Sequence, residues 1–520
     1  MIHASPYPDP VIPDALLGDY LFEHAGLRSG RPALVDGESG AVTTYGELIE
    51  LIGAGAAGLT AAGIAPGDVV ALVSHNQPAW AVAFHAVVAA GGVLTPINPT
   101  FTADEMARQL RLSGARAVIA ASVVAGKARS AALTAGVRDV FVLGDVTGFP
   151  SFERDVSVAA GRAPRLGLDP ARALAVLPYS SGTTGVPKGV MLTHQNIVAN
   201  IEQHVPSCPV RADDVFCAAL PLFHIYGMTI ILNAALRGGA CVVTMPRFDL
   251  GRLVGIVRGH HVTKLHLAPP IVLALASSAP LDGEDFSSLR AVVSGAAPLD
   301  ADVAERAEAR LGVKIGQGYG MTEASPGVLY VPEDRVRDAP RGSIGVLIAG
   351  TEARVIDPAT AADTDGAGEL WIKGPQVMAG YLAAPDKTRA SLTGDGWLRT
   401  GDLVRVDGDG WWWVVDRLKE LIKYKGYQVA PAELEALLLT HPDVDDAAVA
   451  GVPDREAGEV PHAWIVRSGP VEADVLMGWV SERVAPYKKV RAIHFVDTVP
   501  RSPAGKILRK DLRTLVTRES

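Results

Sequence analysis

The sequence predicts an α/β fold in two unequal parts: a large N-terminal part of layered, mostly parallel sheets with helices, and a smaller α+β C-terminal part. Three observations carry this. The chain has 520 residues, too many for one ordinary core. From the N-terminus to about residue 330, apolar β-branched runs alternate with alanine-rich amphipathic stretches. Beyond residue 341 short strands and Gly/Asp turns take over, and a charged stretch, 417–425, follows them.

The first long element is a helix. Thr44 and Glu47 form a capping-box pattern, and Leu48, Ile49, Leu51 and Ile52 continue it. Its Gly53-Ala-Gly55-Ala-Ala-Gly58 matches the dinucleotide fingerprint, which must follow a strand and open a helix. That context is missing, so a packed mid-helix glycine face is expected. Residues 69–74, 117–121, 140–143, 174–177, 240–244 and 289–293 read as buried strands. The most apolar window, 80–94, holds His85 and Gly91-Gly92 and stops at Pro96; it is short for a membrane span and reads as a buried helix. Residues 341–415 read as a small antiparallel β unit, with Asp407-Gly-Asp-Gly410 as a hairpin turn rather than a calcium loop. In Trp411 to Trp413, strand alternation predicts two packed rings and one partly exposed. A linker is expected at 416–419, a helix at 432–439, and mixed short elements to the end.

Composition narrows the function classes. Hydrophobic residues make up 48% and charged residues 20%, a globular balance. The net charge of -9 argues against nucleic acid as main partner but not against ATP, which needs only a few lysines and backbone amides. Cys208, Cys217 and Cys241 form no CxxC pair, which fits a reducing cytoplasm. No signal-peptide pattern opens the chain, Arg-Glu-Ser at its end is not a peroxisomal address, and a cytoplasmic location is expected. His260-His261 has no metal-ligand partner at sensible spacing.

The chemistry concentrates first in Tyr179-Ser-Ser-Gly-Thr-Thr-Gly-Val-Pro-Lys-Gly189. Hydroxyls, glycines and a lysine follow a strand-like run, as an anion-binding loop requires. A P-loop kinase is excluded because Gly189, not Ser or Thr, follows Lys188. Further motifs follow in order: Leu220-Pro-Leu-Phe-His-Ile-Tyr226, Ser294-Gly-Ala-Ala-Pro298, Gln317-Gly-Tyr-Gly-Met-Thr-Glu323, Thr400-Gly-Asp402, Asp416 to Gly426, and Ser502-Pro-Ala-Gly-Lys506.

Together these motifs resemble the adenylate-forming superfamily of acyl- and aryl-CoA synthetases, adenylation domains and luciferases, most of all its 4-coumarate:CoA ligase group. The resemblance spans about residues 43–512. It implies an N-terminal domain, 1–416, including a small β-barrel at about 341–415, and a mobile C-terminal domain, 417–520, on a hinge at Lys419. It implies ligation of a small-molecule carboxylic acid to coenzyme A through an acyl-adenylate, with ATP and CoA as co-substrates and Mg²⁺ as cofactor. No nucleic-acid partner or membrane span is implied, and both monomer and homodimer stay open.

The resemblance also implies roles. Ser180, Ser181, Gly182, Thr183, Thr184 and Lys188 wrap the β- and γ-phosphates; Thr322 contacts the α-phosphate and Glu323 holds Mg²⁺. Ala296, Gln317, Gly318 and Tyr319 line the adenine slot, and Asp402 and Arg417 meet the ribose. Lys506 bridges carboxylate and α-phosphate, while Lys423, Lys425, Gly426 and Arg247 serve CoA. His224 is a gate or carboxylate contact beside an acyl pocket of Tyr226, Thr229, Ile230, Val293, Ala296, Gly320, Pro326 and Gly327. Val293, Thr229, Ile230 and Gly327 depart from residues common in plant members, as does Tyr330; apolar Val293 and Ile230 weaken the case for a phenolic substrate, and a cinnamate-like acid and a medium or long fatty acid both stay open. Two other functions stay open: loading a carrier protein, and non-catalytic adenylate binding. The luciferase version of the motif around Phe223 to Gly227 is absent.

Overall fold

The computed structural model describes every residue except 158–163, 181–186, 278–282, 419, 425–426, 455–456, 485, 503–504 and 517–520. Two large sheets form the N-terminal part. The first has a parallel centre of Val93–Ile97, Val69–Val73, Ala117–Ala121 and Asp139–Leu143. Leu174–Val176 extends it in parallel, and Lys188–Thr193 adds on antiparallel. The second runs Val346–Leu347, Gly327–Tyr330, Ile315–Gly320, Ala291–Ser294, Lys264–Leu267, Val215–Ala218, Cys241–Thr244, Pro32–Asp36 and Val42–Thr44. Its middle is parallel and both ends are antiparallel. Strands buried on both faces explain the unbroken apolar runs in the sequence.

Helix Pro78–Ala89 is buried almost all round, with Trp80, Phe84 and Val87 fully enclosed. It corrects the helix expected over 80–94. Gly91 takes φ +83°, the chain turns, and Leu94 lies in a strand paired with Val69–Val73. Uniform hydrophobicity hid the change of period, and the glycine pair was the boundary signal. Helix Tyr45–Ala61 starts with the capping box of Thr44 and Glu47. Gly55 and Gly58 form its packed face: a Cβ on Gly55 would lie 2.8 Å from the Ala86 Cβ, and one on Gly58 would overlap the Val156 carbonyl.

The antiparallel unit is a five-stranded sheet in the order His3–Ala4, Glu352–Ile356, Gly368–Lys373, Leu398–Val406, Trp412–Arg417. The chain's own N-terminus supplies its edge. Asp407 to Gly410 turns the last hairpin, and Trp411 and Trp412 are buried while Trp413 is half-buried. Beyond it, Ile422–Tyr424, Tyr427–Val429, Val444–Asp454, Gly458–Arg467 and Ala492–Phe495 form a fourth sheet. Helices Pro431–Leu439 and Ala473–Ser481 supply buried residues to its core, which is separate from that of the large sheets. Cys208 and Cys217 are buried, and all three cysteines are free thiols. Among the described residues, no helix is long and apolar enough to cross a membrane.

Candidate active site

The site forms where parallel strands of the second sheet end, the usual place for ligands in open α/β sheets. Ala291–Ser294 and Ile315–Gly320 lie side by side with Ser294 opposite Gln317. Just past Ser294 the chain turns through Ala296 at φ +73°, a conformation uncommon for a residue with a Cβ. That brings Ala296, Gly318, Tyr319 and Gly320 to one cavity.

A polar corner adjoins them. The Tyr319 hydroxyl donates to Asp402 Oδ2 at 2.5 Å, and Arg417 Nε meets Asp402 Oδ1 at 2.9 Å. Asp402 and Arg417 face each other across a strand pair, and Asp402 is buried. Burial, reinforced by the Asp402 charge, pushes the Tyr319 hydroxyl well up, so it stays a donor.

Among the residues expected at the phosphates, Tyr179–Ser180 pairs with Lys188–Thr193, so Ser180 sits opposite Lys188. The expectations for Ser181, Gly182, Thr183 and Thr184 lie outside the described residues. The Lys188 ammonium stands 4.6 Å from the centre of the Tyr381 ring, and the Tyr381 hydroxyl donates to Glu323 Oε1 at 2.9 Å. Tyr381 thus links two expected site segments; sequence reasoning missed it because no motif contains it. Thr322 and Glu323 occupy a short 3-10 turn, held where the Met378 amide donates to the Glu323 carbonyl.

Lys506 comes from the other part of the chain. Its loop packs on the large sheets: a Cβ at Gly505, where φ is +81°, would lie 2.9 Å from the Pro270 ring. Burial pushes the Lys506 ammonium down to about 8, with Arg417 the next cause, while Glu420 and Asp402 oppose it. Lys506 and the Asp402–Arg417 corner therefore share one electrostatic environment. Lys423, by contrast, is exposed on Ile422–Tyr424. Lys419, Lys425 and Gly426 lie outside the described residues. Arg247 lines a second cavity of about 400 Å³, walled also by His75, Phe248, Pro270 and, from the Lys506 loop, Arg501 and Ser502.

Of the residues expected at the acyl pocket, Tyr226, Ile230, Ala296, Gly320, Pro326 and Gly327 line one cavity, together with His224. Thr229 and Val293 do not line it: Thr229 is fully buried, and Val293 packs behind with Cys208, Tyr330 and Ile348. His204, Met321 and Leu329 line it unexpectedly, and Tyr330 lines it too. Besides Tyr319, the tyrosine hydroxyls here are engaged by buried partners, Tyr226 with His266 Nδ1 at 3.0 Å and Tyr330 with Cys208 Sγ at 3.3 Å.

Two histidines are the cavity's polar features. Burial pushes His204 and His224 down to about 4, so both are neutral near pH 7. His204 Nδ1 lies 2.7 Å from the Asn200 carbonyl, which can only accept. The proton therefore sits on Nδ1 and leaves Nε2 an acceptor. His224 Nδ1 accepts from the Tyr226 amide at 3.3 Å, so its proton sits on Nε2, a donor. A Cβ at Gly327 would overlap the His204 ring, which explains why glycine stands there.

Comparisons with known proteins agree with this geometry. Residues 21–382 match the family described as AMP-binding enzyme, and residues 433–506 match the AMP-binding enzyme C-terminal domain. The 4-coumarate–CoA ligase 3 of Oryza sativa subsp. japonica is 41% identical over 526 residues, covering 99% of this chain and 94% of the relative. An anthranilate CoA ligase in complex with anthranoyl-AMP superposes with TM-score 0.87 at 25% identity, covering 98% of this chain and 99% of that one. A benzoate CoA ligase from Burkholderia xenovorans LB400 does so with TM-score 0.86 at 30% identity, covering 96% and 100%.

Proposed function

This chain belongs to the AMP-binding enzyme family, and from that premise we propose how it works: it is an AMP-forming acid–thiol ligase acting on an aryl carboxylic acid. A carboxylate oxygen attacks the α-phosphorus of ATP and diphosphate leaves. The CoA sulfur then attacks the acyl carbon and AMP leaves. The observation that carries this reading is the packing of the Lys506 loop against the large sheets at Pro270, within electrostatic reach of the Asp402–Arg417 corner beside the acyl cavity.

The first step builds negative charge at the α-phosphate. Lys506, half-buried and little solvated, suits that charge more than a surface lysine would. Thr322 contacts the same phosphate, and Ser180 to Thr184 with Lys188 wrap the outer two. Ala296, Gln317 and Gly318 hold the adenine. Asp402 and Arg417 meet the ribose: the buried carboxylate accepts from hydroxyl donors and Arg417 holds it in place. Mg²⁺ fits Glu323: one carboxylate oxygen accepts from Tyr381, and the group keeps further lone pairs for a hard cation. Among the described residues no cluster of three His, Cys, Asp or Glu side chains could hold the ion, and Glu323 would hold it together with ligands from outside the protein. When bound, Mg²⁺ neutralises phosphate charge.

His224 orients the acid, its Nε2 proton pointing a donor at the carboxylate. His204 Nε2 offers an acceptor to the ring of the acid, which favours aryl acids bearing a hydroxyl or amino group. The aryl side of the two acid classes left open by the sequence is supported by these rings and by the aryl ligases among the relatives.

CoA enters through the second cavity, where Arg247 and Arg501 suit its phosphates. Lys423, Lys425 and Gly426 act in the thiol step. Lys423 is exposed on Ile422–Tyr424 while the Lys506 loop packs on the large sheets, and this difference supports assigning them to separate steps with rotation of the 417–520 domain about Lys419 between them.

The test is carboxylate-dependent ATP–diphosphate exchange with a panel of acids, followed by addition of CoA. Exchange with aryl acids and thioester formation support the ligase. Absence of exchange makes the chain a non-catalytic binder; exchange with no CoA thioester but transfer to a carrier protein makes it a loading enzyme.

A further inference from the structure

The loop that carries Lys506 has two stems, and each is pinned by an arginine. Arg501 donates to Asp446 at 2.7 Å and to the Gly505 carbonyl at 3.1 Å. Arg509 opens helix Arg509–Val516 and spreads its guanidinium over three partners. Its Nε donates to the Val449 carbonyl at 2.9 Å, Nη1 to Glu420 at 2.6 Å, and Nη2 to both Glu435 oxygens at 2.7 and 2.8 Å. The three charged side chains are 13%, 16% and 12% exposed, so they form a nearly dry cluster. Asp446 and Val449 lie on the same strand, Val444–Asp454, so both stems are fastened to one rigid element. Glu420 is the residue directly after position 419.

We propose that Arg509 is a positioning residue for adenylation: its fork locks the Lys506 loop to the segment that follows the hinge, so that loop and segment turn as one body. This rests on the reading of Lys506 as the adenylation lysine. A guanidinium fits the task because its planar fork can bind four acceptor atoms at fixed angles, which an ammonium cannot. Partly satisfied, such a cluster would be a liability; complete, it fixes a single geometry. The hydrogen bonds of Arg509 run to Val449, Glu420 and Glu435 and not to the thiol-side strand Ile422–Tyr424, so thioester formation depends on it far less.

The experiment measures both half-reactions for Arg509→Lys, Lys506→Ala and the double variant. Arg509→Lys keeps the cation and loses the fork. It should lower carboxylate-dependent exchange by about 10- to 100-fold, the size of a displacement near 1 Å, with thioester formation from supplied acyl-adenylate little changed. In the Lys506→Ala background the same substitution should cost nothing further, since it acts only through Lys506. Equal loss in both half-reactions, or a full additional loss in that background, assigns Arg509 to general stability and overturns the proposal. If Lys506→Ala itself spares exchange, the reading of Lys506 falls first and the proposal with it. Should Arg509→Lys not fold, Glu420→Gln, which removes one acceptor charge, carries the same expectations.

Discussion

The proposed ribose corner and the proposed acyl cavity share one strand, Ile315–Gly320, and are built in opposite ways. In the corner, Tyr319, Asp402 and Arg417 satisfy one another before any ligand arrives. The cavity instead keeps polar atoms in reserve: its tyrosine hydroxyls are tied to His266 and Cys208, and two neutral histidines face it with opposite tautomers. The corner is preorganised by its own side chains. In the cavity, position 327 is coupled to position 204, because a Cβ at Gly327 would overlap the His204 ring.

This contrast can be broken at several points. Gly327→Val should have the largest effect, lowering aryl-acid-dependent exchange by about 100-fold through overlap with His204 while leaving ATP binding intact. Gly327→Val combined with His204→Gln should recover much of the loss, as judged by kcat/KM for the acid. Asp402→Asn should act on the other side, raising the KM for ATP about 10- to 100-fold, the worth of a charged hydrogen bond, and sparing the KM for the acid.

A pH profile sharpens the division. Lys506 is pushed down to about 8, so adenylation should fall as pH rises through 8 and the ammonium loses its proton. Thioester formation from supplied adenylate should lack that limb. The smallest effect is on stability. His85 is buried between Phe22 and Phe84 with neither ring nitrogen partnered, and burial pushes it from 6.5 to about 3. The unfolded chain takes up this proton first, so stability is full above pH 6.5 and is lost as pH falls from there toward 3. His85→Leu should raise unfolding free energy by about 1–2 kcal/mol and flatten that acid slope in denaturant titrations.

The corner was legible in the sequence because its residues sit in contiguous motifs. Thr400 to Asp402 and Asp416 to Arg417 fall on adjacent strands of one hairpin, so local order fixed their meeting. Tyr381 escaped because it reaches Glu323 only through pairing of Gly380–Tyr381 with Lys188–Thr193. His204 escaped for a similar reason: its place depends on the missing side chain at Gly327, far along the chain. Thr229 and Val293 were expected at the cavity surface, and the packing of Tyr330 in front of Val293 is a property of depth that no spacing encodes. The strand pattern survived well because buried parallel strands announce themselves by apolar runs, whereas the end of helix Pro78–Ala89 was blurred by equal hydrophobicity on both sides.

Everything above depends on a C-terminal ammonium entering a site made by the large sheets. The most direct measurement compares the two half-reactions of Lys506→Ala. Exchange should drop by about 100-fold or more, as on losing a transition-state electrostatic donor, with thioester formation from supplied acyl-adenylate largely retained. Equal loss in both, or no loss of exchange, would contradict the account.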